Sequence, residues 1–290
     1  MTKIEWADKT WNPVTGCTPI SEGCENCYAA RAAHRLAHIE GSGYGNGVDS
    51  PNPRGAFDVE LRRERFCQPM SWRKPRRVFV CSMGDLFHPD VEFEWIRDIW
   101  QAASFAPQHT YMILTKRPAR MLKFTKWLKV HGARWLDSMW LGVTVENQTR
   151  ADERIPILLQ TPAAVRFVSV EPMLGPVDFR KVPGFNRVGL DLSRWWVICG
   201  GETGPGARPM RPEWAMSLQD QCQVAGVPFF FKQWGEWVSP SQMPGETYRE
   251  IEDFGNGIGI TNNPRRVGKK RAGRLLDGRE WSEFPGVSRP

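Results

Sequence analysis

This 290-residue chain has no stretch of eighteen consecutive apolar residues, so a membrane-spanning helix is not expected. Its first residues, Met-Thr-Lys-Ile-Glu-Trp-Ala-Asp-Lys, lack the apolar core of a secretory signal. A disulfide framework is missing too: the seven cysteines are odd in number and follow no framework spacing. Coiled-coil heptads, internal repeats and a phosphate-gripping glycine loop are absent as well. These absences predict a soluble, cytoplasmic protein whose cysteines bind metal or carry chemistry.

With 41% hydrophobic residues, the chain has enough apolar material for one large core. Short apolar runs recur along it: Arg77–Cys81, Thr110–Leu114, Met139–Val145, Ala164–Val170, Arg194–Cys199 and Val227–Lys232. They are rich in β-branched and aromatic residues, and several are apolar on both faces, as buried parallel strands are. Helical patterns lie between them, at Glu92–Ala106, Ala119–Val130, Thr149–Gln160 and Pro212–Ala225, with Pro118, Pro162 and Pro212 near the element ends. A further strand is expected between Lys3 and Val14. The alternation predicts an α/β fold, a parallel (β/α) barrel, partial or complete, of six to eight strands spanning residues 1–238. Residues 239–290 read as a C-terminal extension packed on the barrel. The glycine-rich segment Gly41–Gly55 reads as loop, either a lid or a plain connection.

Polar residues gather just after the strands: Ser82 to Asp85, Thr115 to Arg117, Glu146-Asn147, Glu171-Pro172 and Gly200-Gly201-Glu202. In parallel α/β folds the chemistry sits at the strands' C-terminal ends, so five such clusters in succession point to one shared site. Ahead of them, residues 11–28 carry Cys17, Cys24 and Cys27 in a C-x6-C-x2-C spacing. Gly16 and Gly23 each precede a cysteine and, with Pro13 and Pro19, favour a tight loop around an inorganic centre. Three thiolates leave a metal one ligand short. Either a fourth protein ligand (Cys67, His34 or His38) completes a zinc site, or the open position of an iron–sulfur cluster binds something else.

A loop of this kind after a first strand, heading a strand–helix series, resembles the cluster loop of the radical S-adenosylmethionine superfamily. More narrowly, the chain resembles a phage-associated family of three-cysteine proteins. That resemblance runs from Trp11-Asn-Pro-Val-Thr-Gly-Cys17 through Val78 to Phe87, Leu114-Thr-Lys-Arg-Pro118 and Gly142 to Glu146. It continues through Ser169 to Pro176, Gly200-Gly-Glu202 and Lys232-Gln-Trp-Gly235 into the tail. The superfamily's usual spacing is C-x3-C-x2-C with an aromatic residue before the third cysteine. Here the first gap is longer, and Asn26 precedes Cys27 while Tyr28 follows it. The resemblance implies a 4Fe–4S cluster on Cys17, Cys24 and Cys27. It also implies S-adenosyl-L-methionine as cosubstrate, cleaved reductively to a 5′-deoxyadenosyl radical, and an external electron donor. A local similarity to the spore photoproduct lyase family, which repairs DNA, covers Cys81-Ser82 and Lys116. It implies that Lys116 takes the cosubstrate carboxylate and Ser82 its amino acid moiety. Thr144, Glu146, Glu202 and Tyr28 are further candidates for that pocket. Cys81 is a candidate hydrogen-atom donor beside the radical or, equally, a buried small hydrophobe. Cys199 and Cys222 read as structural.

The net charge of +7 is uneven: residues 264–290 hold eight Lys/Arg against three acids, leaving +2 for the rest. With fourteen tryptophans, four of them at Trp195, Trp196, Trp234 and Trp237, this suits a nucleic acid or nucleotide substrate. A solvated charged terminus and core tryptophans explain the same features more plainly. His88, after Asp85-Leu-Phe, is a candidate for substrate binding. The resulting expectation is a monomeric enzyme that modifies or repairs a nucleic acid; the alternative is a non-catalytic, zinc-containing nucleic-acid-binding protein.

Overall fold

A computed structural model describes residues 4–39, 44, 55–132, 135–185, 191–243 and 262–286. In chain order the strands are β1 (Lys9–Trp11), β2 (Val14–Thr15), β3 (Glu60–Leu61), β4 (Arg77–Val80), β5 (Thr110–Thr115) and β6 (Met139–Thr144). They continue as β7 (Val165–Val170), β8 (Trp195–Gly200), β9 (Phe229–Gln233), β10 (Trp237–Val238) and β11 (Arg265–Arg266). The helices are α1 (Tyr28–Ala37), α2 (Phe93–Ser104), α3 (Pro118–Val130), α4 (Gln148–Gln160), α5 (Pro212–Ala225) and α6 (Lys269–Ala272). Seven strands form one sheet in the order β1-β4-β5-β6-β7-β8-β9, every neighbouring pair parallel. The sheet curls into a half-barrel, the partial form of the expected architecture.

Alternation along the strands sorts the core into two layers. Val78, Val80, Tyr111, Ile113, Leu141, Val143, Val168, Val170, Val197 and Phe231 face outward, into the cluster that holds the buried faces of α2 to α5. Phe79, Met112, Trp140, Phe167, Trp196, Ile198 and Phe230 face inward. Two chain ends help to fill this inner face. Trp6 packs edge-on to Trp196 at 6.1 Å, and Phe284 lies 5.0 Å from the same ring. The edge of β9 is covered as well: Phe231 N donates to Trp281 O and Glu283 N to Phe229 O, which removes a free strand edge.

The last segment therefore does not hang free. Trp196 and Trp234 donate from their indole nitrogens to Glu283 O and Leu275 O, and Arg274 lies over the Phe230 ring. Arg265, Arg266, Lys269, Lys270 and Arg271 stay exposed on this docked segment. Of the glycine-rich segment Gly41–Gly55, all but residues 44 and 55 lie outside the described residues. Among the described residues no helix is long and apolar enough to cross a membrane.

Gly142 marks a tight point of the inner layer. A Cβ there would meet the Phe167 ring at 2.6 Å, inside any tolerable contact. Gly142→Ala should destabilise the fold by about 1–3 kcal/mol through overpacking, read as a lower urea midpoint. An unchanged midpoint would contradict this packing.

Candidate functional site

The C-terminal ends of the sheet strands surround a cavity of about 340 Å³. Its wall on one side is the cysteine loop. Gly16, at φ +88°, donates to Met83 O and approaches the backbone so closely that a Cβ would lie 1.9 Å from Asp58 O. Only glycine fits there. Beyond it Cys17 lies in irregular loop, a 3-10 turn spans Glu22–Cys24, and Cys27 caps the start of α1. Cys17, Cys24 and Cys27 are free thiols, and all three line the cavity.

Carboxylates buried at the strand ends hold this loop in place. After β4, Asp85 accepts from Thr115 Oγ1 at 2.8 Å and from Phe87 N, and pairs with Arg117 at 3.0 Å. Arg117 in turn donates to Cys17 Sγ at 3.3 Å and to Thr18 O at 2.8 Å. Glu146, after β6, is fully buried; it pairs with Arg154 at 3.0 Å and accepts from Ser21 Oγ at 2.7 Å. Glu202, after β8, pairs with Arg208 at 2.7 Å and accepts from Asn26 Nδ2 at 3.1 Å. Burial opposes the charge on Glu202, but the Arg208 bonds outweigh it and hold its carboxyl below the ordinary range. Thr18 Oγ1 lies 2.9 Å from His88 Nε2, so His88 braces the loop as well.

The expected site residues separate accordingly. Cys17, Cys24, Cys27, Tyr28, Cys81, Ser82, Lys116, Thr144 and Glu202 line the one cavity. Glu146 lies behind the lining and anchors the loop; Lys116 Nζ stands 3.8 Å from it. Tyr28 donates to Ser82 O at 2.6 Å, tying the start of α1 to the loop after β4. Trp195, Trp196 and Trp234 are buried core, and Trp237 is held on Ala207 O, so none of these four lines the cavity; Trp6 does. Cys67, His34 and His38 lie outside the lining. Among the described residues no three His, Cys, Asp or Glu side chains converge as ligands of a single metal ion.

Three thiols on one loop, with an arginine donating to one sulfur, are a soft donor set suited to iron–sulfur ligation. Burial pushes the Cys17 thiol up to about 11, Asp85 adding to the shift and Arg117 opposing it, so metal binding there would release a proton. Cys81 breaks the extended backbone with φ +57°, a conformation uncommon for a residue with a Cβ. Burial pushes its thiol up to about 12, keeping the S–H bond intact at neutral pH. Asp85, Arg117, Arg154 and Arg208 stood in plain polar clusters or helices of the sequence, and nothing in their spacing announced their partners.

The site is thus a three-thiol cavity at the mouth of a parallel half-barrel. The chain belongs to the family described as "Protein of unknown function (DUF5131)", whose profile matches residues 1–285. No curated protein matches it. Among solved structures it is similar to a mutant spore photoproduct lyase, at 12% identity and a TM-score of 0.40. That match covers 70% of this chain and 59% of the other, so the chain spans less than two thirds of that structure's length.

Glu22 gives a test of how the loop is clamped. Bonds from Arg150 at 2.9 and 3.1 Å, with Asn147 adding a third, lower its carboxyl to about 2. Because the folded value is depressed, this tie contributes above the ordinary carboxylate range and is lost as pH falls toward 2. Arg150→Ala should return Glu22 toward 4.5 in a carboxylate NMR titration. A Glu22 that still titrates near 2 in the variant would contradict the clamp.

Proposed function

We propose that this protein is a radical S-adenosylmethionine enzyme that modifies or repairs a nucleic acid or nucleotide. The observation that carries the reading is the meeting of three free thiols, Lys116 and Ser82 in one cavity at the strand ends. Cys17, Cys24 and Cys27 would hold a 4Fe–4S cluster. When bound, such a cluster supplies the electron that cleaves S-adenosylmethionine to methionine and a 5′-deoxyadenosyl radical.

The chain's own part is binding and exclusion. Lys116 is a point charge suited to the methionine carboxylate, and Ser82 Oγ, already directed by Asn12 Oδ1 at 3.2 Å, suits its amino group. Thr144 and Tyr28 offer hydroxyls on the same wall, and Glu202 stays ionised there. Cys81, kept as a thiol by burial, would give a hydrogen atom to a substrate radical, a role closed to a thiolate. The local similarity of Cys81-Ser82 and Lys116 to the spore photoproduct lyase family supports a nucleic-acid substrate, as does the basic segment around α6, whose Lys269 lines the cavity. An external donor would supply the electron, and the protein would act in the cytoplasm as a monomer. The zinc alternative has less support, because none of Cys67, His34 and His38 lines the cavity.

Anaerobic reconstitution should give about four irons per chain, and Ala at Cys17, Cys24 or Cys27 should remove most of that iron while the barrel still folds. Full iron retention in these variants would overturn the ligand assignment. Lys116→Ala should keep its iron yet bind S-adenosylmethionine at least about tenfold more weakly, since a buried charged contact is lost. Unchanged affinity by calorimetry would place Lys116 outside the cosubstrate pocket.

A further inference from the structure

Three residues that line this cavity, Trp6, Ser169 and Gln233, each hold a buried polar atom (Nε1, Oγ and Oε1) that has no hydrogen-bond partner among the described residues. Their residues are 2%, 1% and 4% exposed, so they gain little from solvent. Buried polar groups are almost always paired, and each exception calls for a reason. Here the three lie on the N-terminal segment and toward the ends of β7 and β9.

The backbone aims them there. Ser169 follows Phe167 on the inner face of β7, at the mouth of the barrel. Lys232 and Gln233 are neighbours in β9 and would ordinarily face opposite sides, yet both line the cavity. The register of β8 and β9 slips between Cys199 and Gly200, pairing Gly200 with Gln233, and such irregularities re-aim side chains beside functional sites. Trp6 is held by packing on Phe79 at 4.6 Å.

The chemistry of the unpaired atoms selects the ligand. Trp6 offers a donor, Gln233 an acceptor, and Ser169 either. The nearby charge on Lys232 is already paired with Glu171 at 2.7 Å, so these three residues ask for a neutral group. Phe79, Leu114 and the ring of Trp6 add apolar surface to the same lining. A neutral, planar ring with alternating donors and acceptors on its edge is a nucleobase, and enzymes acting on bases read them by edge hydrogen bonds between apolar walls.

We infer that Trp6, Ser169 and Gln233 form the base-recognition subsite of this cavity, which accepts a nucleobase turned edge-on to these three groups. This deepens the reading given under Proposed function and rests on it. The subsite carries a signature that a packing role would not: removing an unpaired buried polar atom relieves the free protein while it weakens the ligand.

The test titrates the full chain calorimetrically with the four 2′-deoxynucleoside 5′-monophosphates, using 2-deoxyribose 5-phosphate as the base-less control. At least one nucleotide should bind about tenfold or more tightly than the control. Ser169→Ala and Gln233→Leu should each reduce that preference roughly fivefold or more, the loss of about one hydrogen bond. Ser169→Ala should also melt at the same or a higher temperature than the parent. Equal binding of all nucleotides and the control, or an unchanged preference in Ser169→Ala, would overturn the subsite. Iron content separates the two readings. Loss of base preference in an iron-loaded protein removes the subsite alone; base preference in a protein that takes up no iron upholds the subsite and removes the radical chemistry.

Discussion

Everything at the mouth of this barrel depends on how a loop outside the sheet is fastened to it, and the Asp85–Arg117 pair is the central fastening. Both side chains are nearly buried, and the guanidinium spans from a carboxylate after β4 to the sulfur of Cys17 and the carbonyl of Thr18. Removing one partner of such a pair would leave an uncompensated charge in a low-dielectric setting, at a cost of roughly 3–5 kcal/mol. Glu146–Arg154 and Glu202–Arg208 repeat the device further along the sheet, reaching Ser21 and Asn26. The cysteines thus inherit their positions from the sheet through buried electrostatics. Rigid support from the scaffold is what a reactive centre needs, because small displacements at the reacting atoms are costly.

Much of the scaffold was legible in the sequence. The six later sheet strands are apolar on both faces and too short for helices, and their ends were readable to within about two residues. The short strand β1 lies inside the expected Lys3–Val14 window because a parallel sheet needs an edge before the cysteine loop. Polar residues after each strand marked the mouth, and nine of the named site residues line a single cavity. What escaped was pairing across long separations. Arg208 meets Glu25 and the carbonyl of Glu22 from the far end of the chain, and no local spacing encodes such a contact. Core packing was the plainer reading of the late tryptophans, and Trp195, Trp196 and Trp234 are buried; what the sequence did not mark is Trp6 as the tryptophan that lines the cavity. Residues 239–290 read as an extension packed on the barrel, but nothing in their composition pointed to Trp281 and Phe284 as the residues that lie on β9 and the inner layer.

Local rules are broken where the cavity lies. Cys81 takes a left-handed backbone conformation, the β8–β9 register slips, and three buried polar atoms stand unpaired. Elsewhere the inner and outer layers follow strict alternation. Among the described residues, buried polar atoms without a partner also occur away from the cavity, at Trp195 Nε1, Ser239 Oγ and Arg274 Nε, so it is their joint lining of one cavity that sets Trp6, Ser169 and Gln233 apart. The cavity is lined both by the three cysteines, Lys116 and Ser82 and by these three neutral hydrogen-bonding residues.

The central claim is that the three-cysteine cavity performs reductive chemistry on S-adenosylmethionine. Chromatographic assay for 5′-deoxyadenosine tests it most directly, after the anaerobically reconstituted protein is reduced with dithionite in the presence of S-adenosylmethionine. The account predicts 5′-deoxyadenosine and methionine from the parent protein and neither from the Cys24→Ala variant. A protein holding about four irons per chain that yields no 5′-deoxyadenosine would contradict the account, as would a colourless one that takes up only zinc.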